Sequence, residues 1–174
     1  MNVIKKLAKG WTSEIYLVER NGKKLVLKQQ KKEKCNRPKM VEKEVENLKL
    51  ANSVGLGPRL IDFDLEERWV LMEYIEGPTF NEWLFEKKPA KKQLEKFLKE
   101  LFKQVEKLDS VGLDHGQLAG KGKNILVRRG KPVIVDFEKA STNRKTHNRT
   151  QLEAFIYRNP HSAITKRIRE ILNN

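Results

Sequence analysis

An asparagine and an aspartate in the last third of the chain are the residues best suited to metal chemistry. Two apolar runs of β-type residues, at 125–127 and 133–135, flank a basic turn at 128–131. These runs should pair as a hairpin, which brings Asn124 and Asp136 together at its open end. An amide oxygen and a carboxylate are ligands of the kind that Mg²⁺ takes, with phosphate completing the shell. Either residue alone could simply end a loop or a strand, but their ordered spacing favours a metal-nucleotide site for phosphoryl transfer.

Three short motifs resemble those of a known superfamily. They are HGQL at 115–118, NILV at 124–127 and VDFE at 135–138. They look like the catalytic loop, the metal-binding asparagine and the metal-binding aspartate of the protein-kinase-like superfamily. Glycine after the histidine and glutamate after the phenylalanine are more similar to small atypical kinases, which include the RIO type, the kinase of the KEOPS tRNA-modification complex, antibiotic and sugar phosphotransferases, and a small archaeal family of predicted serine/threonine kinases. The resemblance is strongest to the last group, and it implies ATP and Mg²⁺ as cofactors.

The resemblance also implies a lysine that holds the α- and β-phosphates. The apolar run at 25–27 predicts a short strand that ends in Lys28, in the position of such a lysine. A turn-then-strand segment before it contains Gly10 and Ser13, which would let a phosphate-covering loop approach the nucleotide. The pair at 21–22, Asn-Gly, predicts the hairpin turn between these strands. With a single glycine, this motif taken alone is more often an ordinary β-hairpin than a nucleotide loop.

A carboxylate should hold the lysine in place, and a predicted helix over residues 39–52 supplies one. Val41, Val45 and Leu48 recur on one face of this helix. Glu44 lies three residues after Val41 and four before Leu48, so it points inward on the same face. The run EVENL is similar to the E-A-x-x-L pattern of small kinases, which gives Glu44 the role of partner to the lysine.

Two further strands are predicted at 58–61 and 68–74. The segment at 73–77, which begins with Glu73 and Tyr74, resembles the inter-lobe hinge whose backbone contacts the adenine of ATP. The residue types alone equally fit an ordinary strand end.

The catalytic loop departs from the family pattern. Gln117 stands where the family has its catalytic aspartate, and a neutral amide cannot accept a proton from a substrate hydroxyl. Asp114, in the same loop, is a candidate substitute base. Asn124 follows Gln117 at a longer spacing than usual, and the inserted residues include Lys121 and Lys123, which could contact the γ-phosphate.

The second half of the chain is predicted to be helical. Apolar residues from Leu94 to Leu108 recur at three and four residues, which indicates a long amphipathic helix. Thr150 and Glu153 form a capping-box pattern that would open a short helix, which Pro160 ends. A last amphipathic helix follows it.

Composition limits the class of protein. The 174 residues, 38% of them hydrophobic, suffice for one core or for two small lobes that share a cleft. No apolar run reaches membrane-spanning length and the N-terminus lacks a signal-peptide core, so we expect a cytoplasmic protein with no membrane partner. The single Cys35 fits a reducing compartment.

The chain is strongly basic, with a net charge of +14. Such a field attracts polyanions, and RIO and KEOPS-type kinases work on RNA-containing assemblies. Two interpretations therefore stay open, a contact surface for RNA or a ribonucleoprotein and a solvated basic face that also attracts ATP.

We therefore expect a minimal two-lobed, protein-kinase-like α+β fold that forms one domain overall. Its N-lobe, residues 1–74, would be a five-stranded antiparallel sheet with one helix, and its reduced helical C-lobe, residues 75–174, would place a β-hairpin at the cleft. The function implied is ATP- and Mg²⁺-dependent phosphoryl transfer to serine or threonine of a protein substrate or of the kinase itself. The alternative is a nucleotide-binding pseudokinase that acts as a basic scaffold on RNA or a ribonucleoprotein complex. A small-molecule phosphotransferase is disfavoured, because the short C-lobe leaves little structure for a substrate pocket.

Overall fold

Five antiparallel strands form one sheet in the first part of the chain. The computed structural model describes residues 1–31, 39–120 and 122–173, so the predictions made for Cys35 and Lys121 lie outside the described residues. The order across the sheet is β1-β2-β3-β5-β4. This arrangement confirms the predicted five-stranded antiparallel sheet. The strands are β1 (Asn2–Lys9), β2 (Ser13–Arg20), β3 (Lys23–Gln30), β4 (Leu60–Asp64) and β5 (Trp69–Glu73).

Turn chemistry fixes the hairpin between β2 and β3. Arg20 pairs with Lys23, which leaves Asn21 and Gly22 as a two-residue turn. Both turn residues have positive φ, 53° and 70°, as a type I′ turn requires. The twist of this turn matches the twist of the strands, and the predicted hairpin is confirmed.

Two features of the sheet differ from the sequence-based expectation. All eight residues of β1 are exposed, so this strand has no alternation of buried and exposed positions by which to locate it. Strand β4 begins at Leu60, two residues later than predicted, because the side chain of Asn52 bonds the preceding connection. The Nδ2 atom of Asn52 donates to the carbonyl of Pro58, and its Oδ1 accepts from the N–H of Leu60.

Helix α1 (Met40–Ser53) confirms the helix predicted over residues 39–52. Its inward face packs Val41 and Val45 against Val70 of β5. Near its C-terminal end, Leu48 and Ala51 join the larger core formed by the helical half of the chain. One continuous apolar contact therefore joins the sheet, through α1, to the helices.

The helical half is built around the long helix α3 (Lys91–Ser110), whose apolar stripe is buried as predicted. The rings of Phe97 on α3 and Phe80 stack with centroids 5.0 Å apart in the middle of this core. Within the described ranges, no helix combines the length and apolarity that crossing a membrane demands. The other helices are α2 (Phe80–Glu82), which continues as a π-helical turn (Trp83–Lys87), α4 (Asn148–Glu153), which continues as a π-helical turn (Ala154–Arg158), and α5 (Ala163–Asn173).

The predicted capping box at the start of α4 is wrong. The helix begins at Asn148, so Thr150 lies inside it and caps nothing. The cap comes instead from α3, where Asp109 accepts hydrogen bonds from the side chain of Asn148 and from the N–H of Arg149. A side chain distant in sequence therefore satisfies the N–H groups that a local cap would otherwise take.

Strands β6 (Ile125–Arg128) and β7 (Lys131–Ile134) form the predicted hairpin, with β7 shifted toward the turn. Its turn residues, Arg129 and Gly130, again have positive φ. Just beyond β7, the N–H of Val135 donates to the carbonyl of Asn124 at 2.9 Å. The hairpin thus places Asn124 beside the residue that precedes Asp136.

Candidate active site

A cavity of about 450 Å³ lies between the sheet and the β6–β7 hairpin. Most of its wall is apolar, whereas charged and amide side chains gather at one end. A larger groove, of about 830 Å³, lies on the outer side of residues 74–76 and contains none of these clustered groups. The apolar wall of the smaller cavity includes Leu7, Ala8, Ile15, Val26, Met72, Leu126 and Phe137, and its polar end consists of Lys28, Glu44, Asn124 and Asp136.

Lys28 is the centre of the polar end. Its side chain is almost fully buried, and its Nζ atom lies 2.9 Å from Glu44 Oε1, 2.8 Å from Glu138 Oε2 and 3.3 Å from Asp136 Oδ1. The inward face of α1 supplies Glu44, while the segment after β7 supplies the other two carboxylates. One ammonium among three carboxylates leaves excess negative charge. A cation would therefore have to enter with any polyphosphate that binds here.

Burial and neighbouring charges act in opposite directions on these groups. Burial alone would lower the pKa of Lys28, but the carboxylates of Glu44, Asp136 and Glu138 outweigh it and raise that pKa above its ordinary value. Burial raises the pKa of Glu44, and the Lys28 ammonium opposes this change. Lys28 is therefore a permanent cation at neutral pH, available to hold phosphate oxygens.

Asp136 has an unusual backbone, which its neighbours hold in place. Its φ and ψ of 66° and 72° lie in the left-handed region, and a 3₁₀ turn (Phe137–Lys139) follows directly. The side-chain amide of Asn47, buried on α1, donates to the carbonyls of Phe137 at 3.1 Å and Ala140 at 2.8 Å. Asn47 was not among the residues predicted from the sequence, although a polar residue three positions after Glu44 on a buried face indicates such a role.

His115 links the neighbouring loop to the same segment. Its ring is fully buried, and burial lowers its pKa, so the imidazole is neutral. A neutral ring has one donor and one acceptor, and both are used: Nε2 donates to the carbonyl of Val135 at 2.9 Å, and Nδ1 accepts from the N–H of Gln117 at 3.4 Å. The N–H of His115 in turn donates to the side chain of Asn148. The loop is therefore fixed to the segment after β7, at the residue that precedes Asp136.

Asn124 is held so that its amide oxygen remains for a cation. Its Nδ2 atom donates to the carbonyl of Gln117 at 2.9 Å. Asn124 and Asp136 both line the cavity, which is the juxtaposition expected from the hairpin. Over the described ranges, no three His, Cys, Asp or Glu side chains cluster as a self-contained metal site. The donor set fits Mg²⁺ only if phosphate oxygens supply further ligands, as in a metal-nucleotide complex.

Residues 73–77 connect the sheet to the helical half beside this cavity. Glu73 and Tyr74 both line it. The carboxylate of Glu73 accepts a hydrogen bond from Arg128 at 2.6 Å, which ties the end of β5 to the hairpin. Gly77 packs so closely on the hairpin that an added Cβ would lie 2.1 Å from the carbonyl oxygen of Val127. Residues 73–77 therefore pack closely against β6.

Comparison with known proteins identifies the family. The sequence model of the RIO domain matches residues 12–157. The chain belongs to the RIO domain family. This membership confirms the predicted resemblance to small atypical kinases and the kinase-like α+β fold, and it supports an atypical kinase-like, ATP-binding protein.

The sequence of this chain is also similar to those of two archaeal proteins. The KEOPS complex subunit Bud32 of Pyrococcus abyssi is 34% identical over 96 residues, which are 55% of this chain and 42% of that protein. An uncharacterized protein of Methanocaldococcus jannaschii is 33% identical over 102 residues, which are 59% of this chain and 84% of that protein. The match thus spans less than half of the Bud32 relative and most of the second one.

Asp114 of this RIO domain, the candidate substitute base, is held by a network of hydrogen bonds. Its side chain is buried, and its two carboxylate oxygens accept hydrogen bonds from the Nε of Arg144 and from the N–H of His147. The backbone of Asp114 also pairs with Ser141. Both carboxylate oxygens are therefore hydrogen-bonded in this structure, and the role of Asp114 as a substitute base stays a prediction.

The predicted phosphate-covering loop of the RIO domain contributes other residues to the wall of the cavity, and the roles of Gly10 and Ser13 stay predictions. Neither Gly10 nor Ser13 lines the cavity, and the lining residues from this region are Leu7, Ala8 and Ile15. The loop closes on itself through a hydrogen bond from the N–H of Gly10 to the carbonyl of Ser13. Of the two lysines in the inserted loop, Lys123 lines the cavity.

Proposed function

We propose that this RIO domain is an ATP- and Mg²⁺-dependent phosphotransferase that acts on serine or threonine hydroxyls of a protein substrate or of its own chain. One observation carries the proposal. A permanently charged Lys28 is held by Glu44 at the polar end of an apolar cavity, and Asp136 and Asn124 stand beside it. Such an arrangement suits a bound metal-nucleotide complex.

Each residue of this cluster has one proposed role. Lys28 holds the α- and β-phosphates, and Glu44 keeps the ammonium in position. Asp136 and Asn124 bind Mg²⁺, which supplies charge neutralisation on the transferred phosphoryl group. Lys123 at the mouth of the cavity contacts the terminal phosphate. Residues 1–74 and 75–174 act as the two lobes, and the connection at 73–77 with its apolar surroundings receives the adenine.

The proposed enzyme is slow. Gln117 provides no carboxylate, and Asp114 is engaged by Arg144 and His147. A general base typically contributes about 10² to 10⁴ in rate, whereas positioning and charge neutralisation provide most of the catalysis of phosphoryl transfer. Without a general base, phosphoryl transfer is therefore slower than in a kinase that has one, but Lys28, Asn124 and Asp136 still support it.

Two measurements test this proposal. Mg-ATP should raise the melting temperature of the wild-type chain, Asp136→Ala should remove the rise, and Glu66→Ala, at an exposed position in a turn, should keep it. With radiolabelled ATP, Lys28→Ala should abolish phosphate transfer. A wild-type chain that shows no shift with Mg-ATP would refute nucleotide binding, and label transfer that persists in Lys28→Ala would point to a contaminating kinase.

The alternative function is a pseudokinase that binds nucleotide and serves as a basic scaffold on RNA or a ribonucleoprotein. The engagement of Asp114 favours it, because no carboxylate of the loop is then left for proton transfer. The name of the Pyrococcus relative, a subunit of a complex, gives it further support. It predicts a Mg-ATP shift without phosphate transfer, and retention on RNA that falls steeply with salt. Gln117→Asp separates the two functions, since a restored carboxylate should accelerate a slow enzyme and should leave a scaffold inactive.

A further inference from the structure

A second groove, of about 620 Å³, lies on the other side of the Lys28 cluster. One wall is the beginning of α1, and the other is the segment that follows Asp136. We call it the α1 groove and define it by its charged lining residues, Lys39, Lys43, Glu46, Glu138, Lys139 and Arg144.

The α1 groove carries positive charge that is not neutralised by residues 1–31, 39–120 and 122–173. Lys39, Lys43 and Lys139 are exposed, and their ammonium groups have no ion pair or hydrogen bond within the ranges that the structure describes. Arg144 differs from them, because its Nε binds the carboxylate of Asp114 and one terminal nitrogen donates to the carbonyl of Lys139 at 2.7 Å. Three unpaired lysines therefore face a concave surface, which is where an anionic partner would be held.

This groove shares a wall with the candidate active site. Glu138 lines the groove, while its Oε2 atom lies 2.8 Å from the Nζ of Lys28, which lines the cavity. Asn47 also lines the groove and bonds the segment that contains Asp136 and Phe137. A chain bound in the groove would thus lie next to the residues that hold the metal-nucleotide complex.

We infer that the α1 groove docks an acidic segment of the protein substrate and so places the acceptor hydroxyl near Asp136. This inference rests on the proposed function, because docking there has a purpose only if phosphoryl transfer occurs beside it. Lysine ammonium groups act as point charges and tolerate dispersed carboxylates, whereas phosphate recognition more often uses the paired donors of a free arginine. The Nε and Nη2 groups of Arg144 already donate to Asp114 and to the carbonyl of Lys139, so this edge of the guanidinium cannot form a paired contact with a phosphate. Aspartates and glutamates therefore fit better than a phosphorylated residue.

The lining also distinguishes an acidic protein segment from RNA. Among the described residues that line the α1 groove none is aromatic, so they offer no surface on which bases could stack. Glu46, which is exposed there, would repel a closely spaced run of phosphates. Carboxylates spaced along a peptide avoid this repulsion.

Binding of two labelled peptides to the full chain tests this inference. Both contain one acceptor serine, flanked by glutamates in one peptide and by glutamines in the other. We expect the wild-type chain to prefer the glutamate peptide, and Lys43→Glu with Lys139→Glu to weaken its binding by at least about tenfold. The matched control, Lys96→Glu with Lys99→Glu, makes the same change of charge on exposed positions of α3 and should leave binding within about twofold.

Every outcome of this experiment bears on the groove. Equal weakening in both double variants would show a general charge effect and overturn the inference, as would equal binding of the two peptides. A single-stranded oligouridine that displaces the glutamate peptide and loses its own binding only in the Lys43/Lys139 variant would overturn it in favour of RNA. Should that variant fail to fold, Lys43→Gln with Lys139→Gln keeps the test, with an expected loss of about threefold.

The binding assay needs no phosphoryl transfer, so it separates this inference from the proposed function. The Mg-ATP shift in melting temperature is measured on the same proteins. Peptide binding that depends on the groove without a Mg-ATP shift would remove the proposed function and keep the groove as a binding site for acidic segments. A Mg-ATP shift without preference for the glutamate peptide would support nucleotide binding and overturn the docking of acidic segments in the α1 groove.

Discussion

Glu138 holds Lys28 as closely as Glu44 does. Its Oε2 atom lies 2.8 Å from the Lys28 nitrogen, against 2.9 Å for the Oε1 atom of Glu44. The first carboxylate belongs to the segment after Asp136 and the second to helix α1, so a single ammonium joins the sheet, the helix and the metal-binding segment. The extra carboxylate also makes the site more negative, which should make nucleotide binding depend strongly on a divalent cation.

The first prediction concerns this dependence on the cation. Glu138→Gln removes one negative charge from the site, so free ATP should bind roughly tenfold more tightly than to the wild-type chain, while Mg-ATP affinity changes little. Calorimetric titrations with Mg²⁺ and with a chelator measure both constants. Glu86→Gln, at an exposed position in the helical half, is the matched control. An unchanged ratio of the two constants in Glu138→Gln would contradict the role given to this charge.

Asn47 should matter for both stability and nucleotide binding. Asn47→Ala removes the donor to the carbonyl of Ala140 and one of two donors to the carbonyl of Phe137, which still accepts from the N–H of Ala140. This loss should cost about 1 to 3 kcal/mol in the free energy of unfolding. Affinity for Mg-ATP should fall as well, because the segment that presents Asp136 loses its anchor. Urea unfolding and nucleotide titration give the two quantities. Glu46→Ala, on the exposed face of the same helix, should change neither, and similar behaviour of the two variants would rule out the anchor.

The connection between the sheet and the helices should not tolerate a side chain at Gly77. An added Cβ would lie 2.1 Å from the carbonyl oxygen of Val127, so Gly77→Ala must displace the hairpin. We expect a loss of at least about 2 to 3 kcal/mol of stability, together with weaker nucleotide binding. Gly130→Ala is the control, since its φ is 76° and nothing lies within 4 Å of the added atom. It should cost only about 1 kcal/mol, and equal costs in denaturant unfolding would refute the close approach.

His115 should make stability depend on pH. Burial lowers its pKa below the ordinary value of 6.5, so the unfolded chain takes up a proton more readily than the folded chain. Stability from this residue is therefore complete above the unfolded pKa and is lost as pH falls from there toward the folded pKa, by at most about 1.4 kcal/mol per pH unit. Unfolding of wild type and His115→Gln should show a steeper decline for wild type below about pH 6.5. Parallel curves would mean that the imidazole is not held neutral.

Local sequence rules predicted a large part of the fold and some of the site. The hairpin turns followed from Asn-Gly and Arg-Gly pairs that accept positive φ, and the helix containing Glu44 followed from the spacing of Val41, Val45 and Leu48. Both rules act within a few residues, so the structure of distant segments does not disturb them. The position of strand β1 was not predicted, because all its residues are exposed and these rules depend on a contrast between buried and exposed positions.

The sequence-based predictions were wrong or incomplete where the hydrogen-bond partner of a side chain lies far away in the sequence. The capping box at Thr150 failed because Asp109 caps α4 from another helix. The partners of Asp114 were not predictable from its place in the loop, because Arg144 and His147, which bind its two carboxylate oxygens, lie 30 and 33 positions further along the chain.

Local sequence patterns were enough to predict a strand that contains Lys28, an inward-facing Glu44, and a hairpin that places Asn124 next to the residue before Asp136. Only the tertiary structure decided that Lys28 also meets Glu138 and that the α1 groove adjoins this cluster. The physical reason is the range of each effect. Backbone conformation and helix periodicity depend on neighbouring residues, whereas the contact between Lys28 and Asp136 joins positions 108 apart and exists only once the sheet, α1 and the hairpin have packed together.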